Sequence, residues 1–161
     1  MDKDVYLSIG SNLGNPMDNI KKALENLRLE FGDLKVSSVY ETEPQDYKEQ
    51  NTFYNCCVYL KTSFGPFEIL DKIQGIENHM GQYKKEIRFG PRLIDIDIIF
   101  YSDECINTDN LVIPHKRMYK RAFVLYPLAE LNKDLFHPVI KKTVGELVGS
   151  EKIKEQGITK I

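Results

Sequence analysis

Ile94-Asp95-Ile96-Asp97-Ile98-Ile99-Phe100-Tyr101 opens with apolar and charged residues in strict alternation, the period of a β-strand. On such a strand Ile94, Ile96, Ile98 and Phe100 share one face while Asp95 and Asp97 share the other. Two residues of rise separate the carboxylates by ~7 Å at the backbone, less at their tips. Like charges that close on a rigid element repel unless a cation lies between them. Oxygen ligands of this kind suit Mg²⁺, which takes one or two carboxylates together with substrate phosphates. A half-buried strand with a solvated acidic face accounts for Asp-x-Asp alone equally well.

The flanking charge favours the metal reading. Lys84, Lys85, Arg88 and Arg92 precede the strand against the single acid Glu86, and His115 to Arg121 adds Lys116, Arg117, Lys120 and Arg121 with no acid. These two segments carry +7 in a chain of net charge −2, leaving −9 elsewhere. A basic cluster beside paired carboxylates, within an acidic protein, is what a magnesium–polyphosphate site needs. The net charge itself gives no reason to expect a nucleic-acid or membrane-surface partner.

Further out, Val5, Leu7 and Ile9 alternate with Tyr6 and Ser8 as a first strand. The turn Gly10-Ser11-Asn12-Leu13-Gly14 follows, and Asn15-Pro16 reads as an N-cap with proline at the first helical position. Ile20, Leu24, Leu27 and Phe31 keep helical spacing up to Gly32. Leu34 to Thr42 and Phe53 to Lys61 read as strands on either side of a polar loop. A second helix opens at Gly65-Pro66 and carries Leu70, Ile73, Ile76 and Met80 on one side before Gly81. The order is βαββαβ, which predicts an α+β, ferredoxin-like antiparallel sheet with helices packed on one face. Beyond it, a short strand near Cys105 to Thr108 is expected to pair with the fourth strand. Short helical turns are expected over 114–131 and a helix over Thr143 to Val148, while the last dozen residues carry no readable signal.

At 161 residues the chain is expected to be a single domain over 1–161, large enough to fold without disulfides. Cys56, Cys57 and Cys105 are odd in number, and neighbouring cysteines on a strand point to opposite faces, so small buried thiols in a reducing cytoplasm are expected. No signal peptide or membrane-spanning window is legible. The glycine turn is not a P-loop, and His79, His115 and His137 lack zinc spacing.

The third strand holds a quieter pair. If Tyr54, Cys56, Val58 and Leu60 face the core, Phe53 and Asn55 stand together on the other side. A flat ring beside a primary amide can stack on and hydrogen-bond to a planar heterocycle, though partly covered surface residues look the same.

Tyr6 to Gly14, Tyr40-Glu41-Thr42, Phe53 to Asn55, Gly90-Pro91-Arg92-x-x-Asp95-x-Asp97 and Pro114-His115 through Arg121 to Leu128 together resemble the 6-hydroxymethyl-7,8-dihydropterin pyrophosphokinases of folate biosynthesis. The resemblance implies transfer of diphosphate from ATP to the pterin alcohol with release of AMP; the chain itself is expected to be a cytoplasmic monomer. It implies that Asp95 and Asp97 bind two Mg²⁺ ions, one of which also approaches the pterin hydroxymethyl oxygen and favours its deprotonation. It implies pterin contacts from Phe53, Phe123, Asn55, Asp95 and the Thr42–Pro44 stretch, and nucleotide contacts from Gln74, Glu77 and backbone near Ile98. Lys84, Arg92, His115 and Arg121 would neutralise phosphate charge, with Arg92 and Arg121 joining the two aspartates in catalysis. Gln82, Lys84, Phe89, Asn110 and Lys116 depart from residues common in the family and bear on rate and nucleotide affinity. A magnesium-dependent phosphohydrolase is the rival enzyme and would not need Phe53, Asn55 and Phe123. An RNA-recognition module would show central-strand aromatics where Asp95 and Asp97 stand.

Overall fold

In the computed structural model, which describes residues 1–42, 51–81 and 92–161, the chain runs through β1 (Lys3–Ser11), α1 (Pro16–Phe31), β2 (Lys35–Val36), β3 (Tyr40–Thr42), β4 (Phe53–Thr62), α2 (Pro66–His79) and β5 (Asp95–Tyr101). It continues through β6 (Ile106–Asn107), β7 (Val112–Ile113), a 3-10 turn (Met118–Lys120), α3 (Ala122–Asn132), β8 (Phe136–His137), β9 (Lys142–Thr143), α4 (Val144–Val148), α5 (Glu151–Lys154) and β10 (Ile158–Lys160). Among the described residues the main sheet has the order β10-β3-β4-β1-β5, with β2 pairing beside β3 along β4, and every pairing is antiparallel.

The helix signals act as read. The Asn15 side chain accepts from the Asp18 amide at 3.2 Å, Pro16 fills the first position, and Gly32 follows with φ 83°. At α2 the Glu68 carboxylate accepts from the Gly65 amide at 3.1 Å. Ile20, Ala23 and Leu27 of α1 and Ile69 and Ile73 of α2 bury against Val5, Leu7, Ile9, Cys56, Val58, Leu60, Ile94, Ile96 and Ile98. Each side chain so covered contributes about 1.5–3 kcal/mol.

The expectation of two helices on one face holds for α1 and α2, and the C-terminal helices, to which the sequence assigned no face, cover the other. Tyr6, Cys57, Ile99 and Phe100 of the opposite face pack against Val124, Leu125 and Leu128 of α3 with Val144, Leu147 and Ile153 beyond. The run Ala122 to Leu128 is too apolar to lie in water, and the second face of the sheet covers it.

Phe100 is a correction. Tyr6 pairs with Phe100 but Leu7 pairs with Ile98, so Ile99 is an extra residue on β5. This bulge puts Phe100 on the α3 side and returns Tyr101 to the α1/α2 side, reversing the alternation that holds from Ile94 to Ile98. The predicted second strand is likewise broken. The Ser37 hydroxyl accepts from the Cys57 amide at 2.9 Å while the Ser37 amide donates to the Cys57 carbonyl, so a side chain replaces a ladder bond between β2 and β3. Within the stretch 105–108, Ile106 and Asn107 pair with Ile113 and Val112 rather than with β5, and Cys105 is exposed. Cys56 and Cys57 are buried as expected.

The last dozen residues, unread from sequence, form α5 and the edge strand β10 beside β3. Glu130 of α3 locks this edge: Oε2 accepts from the Ser38 amide at 2.6 Å, Oε1 accepts from the Tyr40 hydroxyl at 2.9 Å, and Lys160 Nζ lies 3.4 Å away. Desolvation alone would raise the Glu130 carboxyl, but those donors outweigh it and hold it below its ordinary value. A lowered folded-state value stabilises the fold above the ordinary carboxylate range, and that contribution is lost as pH falls through it. Glu130→Gln is therefore expected to melt below the wild type at pH 7, with the two curves converging below about pH 4. Parallel melting temperatures across pH 3 to 7 would contradict this.

No helix among the described residues is long and apolar enough to cross a membrane.

Candidate active site

The register brings the predicted site residues into rows across one face of the sheet. Gly10 on β1 lies opposite Asn55 on β4 and opposite Asp95 on β5, and Asn55 is in turn opposite Tyr40. One step along, Ser8 lies between Cys57 and Asp97. Thr42 lies opposite Phe53. Paired residues share a face, so Thr42, Phe53, Asn55, Asp95 and Asp97 all point to the α3 side.

The residues differ in what holds them. Asn55 and Thr42 are buried, and the Asn55 amide donates to the Thr42 hydroxyl at 3.5 Å. Gly10 is required by this row: a Cβ there would stand 2.6 Å from Asn55 Oδ1. Phe53 is half-buried at the start of β4. Phe123 is half-buried in the first turn of α3, on the same side, with the Arg121 guanidinium 5.3 Å from its ring centre. α3 is seated above β4 by the Cys57 thiol, whose Sγ lies 3.7 Å from the Val124 carbonyl.

Asp95 and Asp97 are both half-buried on the edge strand. Between them the Ile96 amide points away from β1 and donates to Glu77 Oε2 of α2 at 2.8 Å. Glu77 is buried and fastens this strand to α2, while Gln74 one turn earlier is exposed. Ile98, two residues on, presents its backbone edge in the same outward direction. It borders a cavity of about 270 Å³ whose walls include Leu70, Leu111 and Val112, with Asp97, His115 and Lys116 also on the lining. Asp109 and Asn110 lie there too.

His115 follows a cis Ile113–Pro114 bond, and its amide donates to the Ile99 carbonyl at 3.0 Å. Its imidazole is pushed down to about 4, by desolvation first and then by the Arg121 charge, with Asp95 opposing and Arg117 adding to the effect. It is thus neutral at pH 7. Nδ1 accepts from the Arg117 amide at 3.2 Å, so Nε2 carries the hydrogen and is a donor. The charges of Arg121, Asp95 and Arg117 are all close enough to His115 to act on its imidazole.

Arg92 is buried, and its backbone is held by Asn12. Pro44 and Lys84, together with Gln82 and Phe89, lie outside the described residues. Among the described residues no group of three or more His, Cys, Asp and Glu side chains is placed to hold a metal ion by itself. Sequence reading gives no role to Gly10, Ser8, Asn12 or Leu70, because their place depends on partners far along the chain. The available signal is a turn, Gly10 to Gly14, with polar side chains between its glycines.

A family model described as 7,8-dihydro-6-hydroxymethylpterin-pyrophosphokinase matches residues 6–133. The chain is 44% identical over 133 residues to the 2-amino-4-hydroxy-6-hydroxymethyldihydropteridine pyrophosphokinase of Bacillus subtilis, covering 81% of this chain and 79% of that protein. With the enzyme of the same name from Aquifex aeolicus it shares 40% over 151 residues, 93% of each. The folic acid synthesis protein FOL1 of Dictyostelium discoideum is 42% identical over 89% of this chain, which spans only 22% of that longer protein. A solved Plasmodium falciparum HPPK-DHPS with pteroate aligns with a TM-score of 0.75, covering 96% of this chain and 45% of that one; at 19% identity the likeness speaks for the fold alone. The chain belongs to the 7,8-dihydro-6-hydroxymethylpterin-pyrophosphokinase family.

Proposed function

We propose that this chain transfers the terminal diphosphate of ATP to the hydroxymethyl group of 6-hydroxymethyl-7,8-dihydropterin, releasing AMP, as its step in folate synthesis. The pyrophosphokinase reaction comes with the family; the assignment of its parts to these residues is our own. The observation that carries it is the row Asn55–Gly10–Asp95. Neighbouring strands are about 4.8 Å apart, so Asn55 and Asp95 stand roughly 10 Å apart across the bare glycine. That gap suits a flat bicyclic ring whose edge is read by Asn55 and Thr42 and whose one-carbon arm reaches Asp95. Phe53 and Phe123 cover the ring from β4 and α3.

On the other side, adenine enters the cavity beside Leu70 and Leu111, where the outward backbone edge of Ile98 offers a donor and an acceptor. The triphosphate then passes Asp97, where the neutral His115 donates a hydrogen bond from Nε2–H and Lys116, Arg92 and Arg121 are drawn on to neutralise it. Glu77 acts from behind, holding the Asp95–Asp97 strand straight, and Gln74 is left to the nucleotide's outer edge. Two half-buried carboxylates on one strand face suit Mg²⁺ held jointly with phosphate oxygens. When bound there by Asp95 and Asp97, Mg²⁺ offsets the charge that builds on the leaving AMP. The pterin hydroxyl oxygen forms a bond to the β-phosphorus as its O–H bond breaks and the proton passes to solvent, the bond from that phosphorus to its bridge with the α-phosphate breaks, and AMP leaves with the electron pair. Catalysis by the chain is positioning and electrostatics.

This reading takes the sheet with α1 and α2 as a ferredoxin-like core and the chain as a single-domain cytoplasmic monomer. The test is direct. Protein incubated with ATP, Mg²⁺ and the pterin alcohol should form AMP and pterin diphosphate in equal amounts. AMP should be absent without pterin and after chelation of the metal. ADP, or free phosphate released without pterin, would overturn the proposal in favour of a phosphohydrolase.

A further inference from the structure

Asn12 is 1% exposed, and a buried amide costs stability unless its donors and acceptor are all used. Its neighbour Asn19 is satisfied locally, donating to the Leu13 carbonyl at 2.8 Å and the Ser11 hydroxyl at 3.2 Å. Asn12 instead reaches two distant segments. Its Oδ1 accepts from the Arg92 amide at 2.8 Å, and its own amide donates back to the Arg92 carbonyl at 3.0 Å. Its Nδ2 donates to the Asn51 carbonyl at 3.0 Å, and the Asn51 side chain returns a bond to the Asn12 carbonyl at 3.3 Å. Asn51 lies two residues before Phe53, and Arg92 three residues before Asp95.

We propose that Asn12 is a positioning residue for the transfer step, a single amide that sets the pterin-bearing start of β4 against the phosphate-bearing start of β5. The inference rests on the pyrophosphokinase reading above. β1 lies between β4 and β5 and pairs with both as far as Gly10 and Ser11, so beyond the ladder the relative placement of the segments that lead into the two strands depends on what joins them. The Leu13 amide and the Ser11 hydroxyl add bonds to the Arg92 and Leu93 carbonyls, while among the described residues the Asn12 side chain is the one bonded to both segments. The nucleophilic oxygen is carried by a ligand on β4 and the β-phosphorus by a ligand on β5. An error between the two strands therefore falls mainly on the reacting distance, because the pterin ring is held from β4 and α3 and only its one-carbon arm reaches Asp95. A misplacement of about 1 Å costs up to about 100-fold in rate.

The experiment separates binding from alignment. Affinity for 6-hydroxymethylpterin alone, affinity for α,β-methylene-ATP with Mg²⁺ alone, and the single-turnover rate of AMP formation are measured on wild type, Asn12→Ala, Asn12→Asp and Asn51→Ala. Asn12→Ala is expected to bind each ligand within about threefold of wild type while the single-turnover rate falls about 10- to 100-fold. Asn12→Asp keeps the acceptor for the Arg92 amide but cannot donate to the Asn51 carbonyl, and should fall between. Asn51→Ala loses only the return bond and should show a smaller fall of the same kind. Should Asn12→Ala not fold, the other two variants carry the same comparison. An unchanged single-turnover rate in Asn12→Asp and Asn51→Ala overturns the proposal. So does a rate loss matched by an equal loss of affinity for one ligand, since Asn12 would then serve a single subsite. A wild type that forms no AMP is seen before any variant is compared; it removes the pyrophosphokinase reading and this inference with it.

Discussion

Asp97→Ala is expected to lower AMP formation by roughly 10³-fold, the scale on which one charged group in a phosphoryl-transfer site acts. Asp97 is half-buried on an edge strand, opposite Ser8 and one step from Asp95 on the same face. It packs into neither apolar cluster. Removing it takes away one of two like charges and leaves the ladder to β1 intact, so the melting temperature should shift by only about 2 °C. The loss should show as a fall in kcat, with a raised requirement for Mg²⁺. Full activity in saturating Mg²⁺ would mean that the strand face is merely acidic and that the phosphate site lies elsewhere.

Gly10→Ala should produce the other large effect, by a steric route. Its Cβ would lie 2.6 Å from Asn55 Oδ1, closer than such atoms approach. Gly10 is confined between two strands, so the side chain at the far end must yield. The Asn55 amide would swing away from Thr42 and from the ring edge it is proposed to read. Losing one or two hydrogen bonds to the ligand corresponds to about tenfold or more in pterin affinity. Nucleotide affinity should stay within about twofold, because the cavity proposed for adenine lies at the opposite edge of β5. The effect should also depend on Asn55: in an Asn55→Ala background the glycine substitution should add little. Equal losses from Gly10→Ala with and without Asn55 would place the damage in the sheet rather than in the amide.

His115 illustrates how a residue can be found in sequence while its chemistry stays hidden. The family resemblance gives it to the neutralisation of phosphate, which suggests a charged imidazole. Burial and the neighbouring Arg121 instead keep it neutral at pH 7, and the Arg117 amide fixes Nε2 as the donor. Glu77 makes a similar point. The resemblance sets it with Gln74, one turn earlier, toward the nucleotide, and the fold adds a bond from the Ile96 amide to its Oε2 that no local pattern shows.

What the chain determines by itself is what repeats over a few residues. The period of two in Ile94 to Ile98 and in Val5 to Ile9, the Asn15-Pro16 start of α1, the Gly65-Pro66 start of α2 and the Asp95–Asp97 face follow from local sterics and side-chain alternation, and the structure keeps them. Tertiary packing alone decided the rest. Ile99 bulges because β5 must match β1, and Phe100 changes faces with it. Ser37 breaks a strand because Cys57 supplies the partner for its hydroxyl. Ile158–Lys160 becomes a strand only because β3 offers a free edge and Glu130 a carboxylate. Gly10 matters because Asn55 arrives beside it, and Asn12 because two segments 39 and 80 residues away meet at one amide. Each is a contact between groups that no short window contains, and close packing settles such contacts only once the strands are in register.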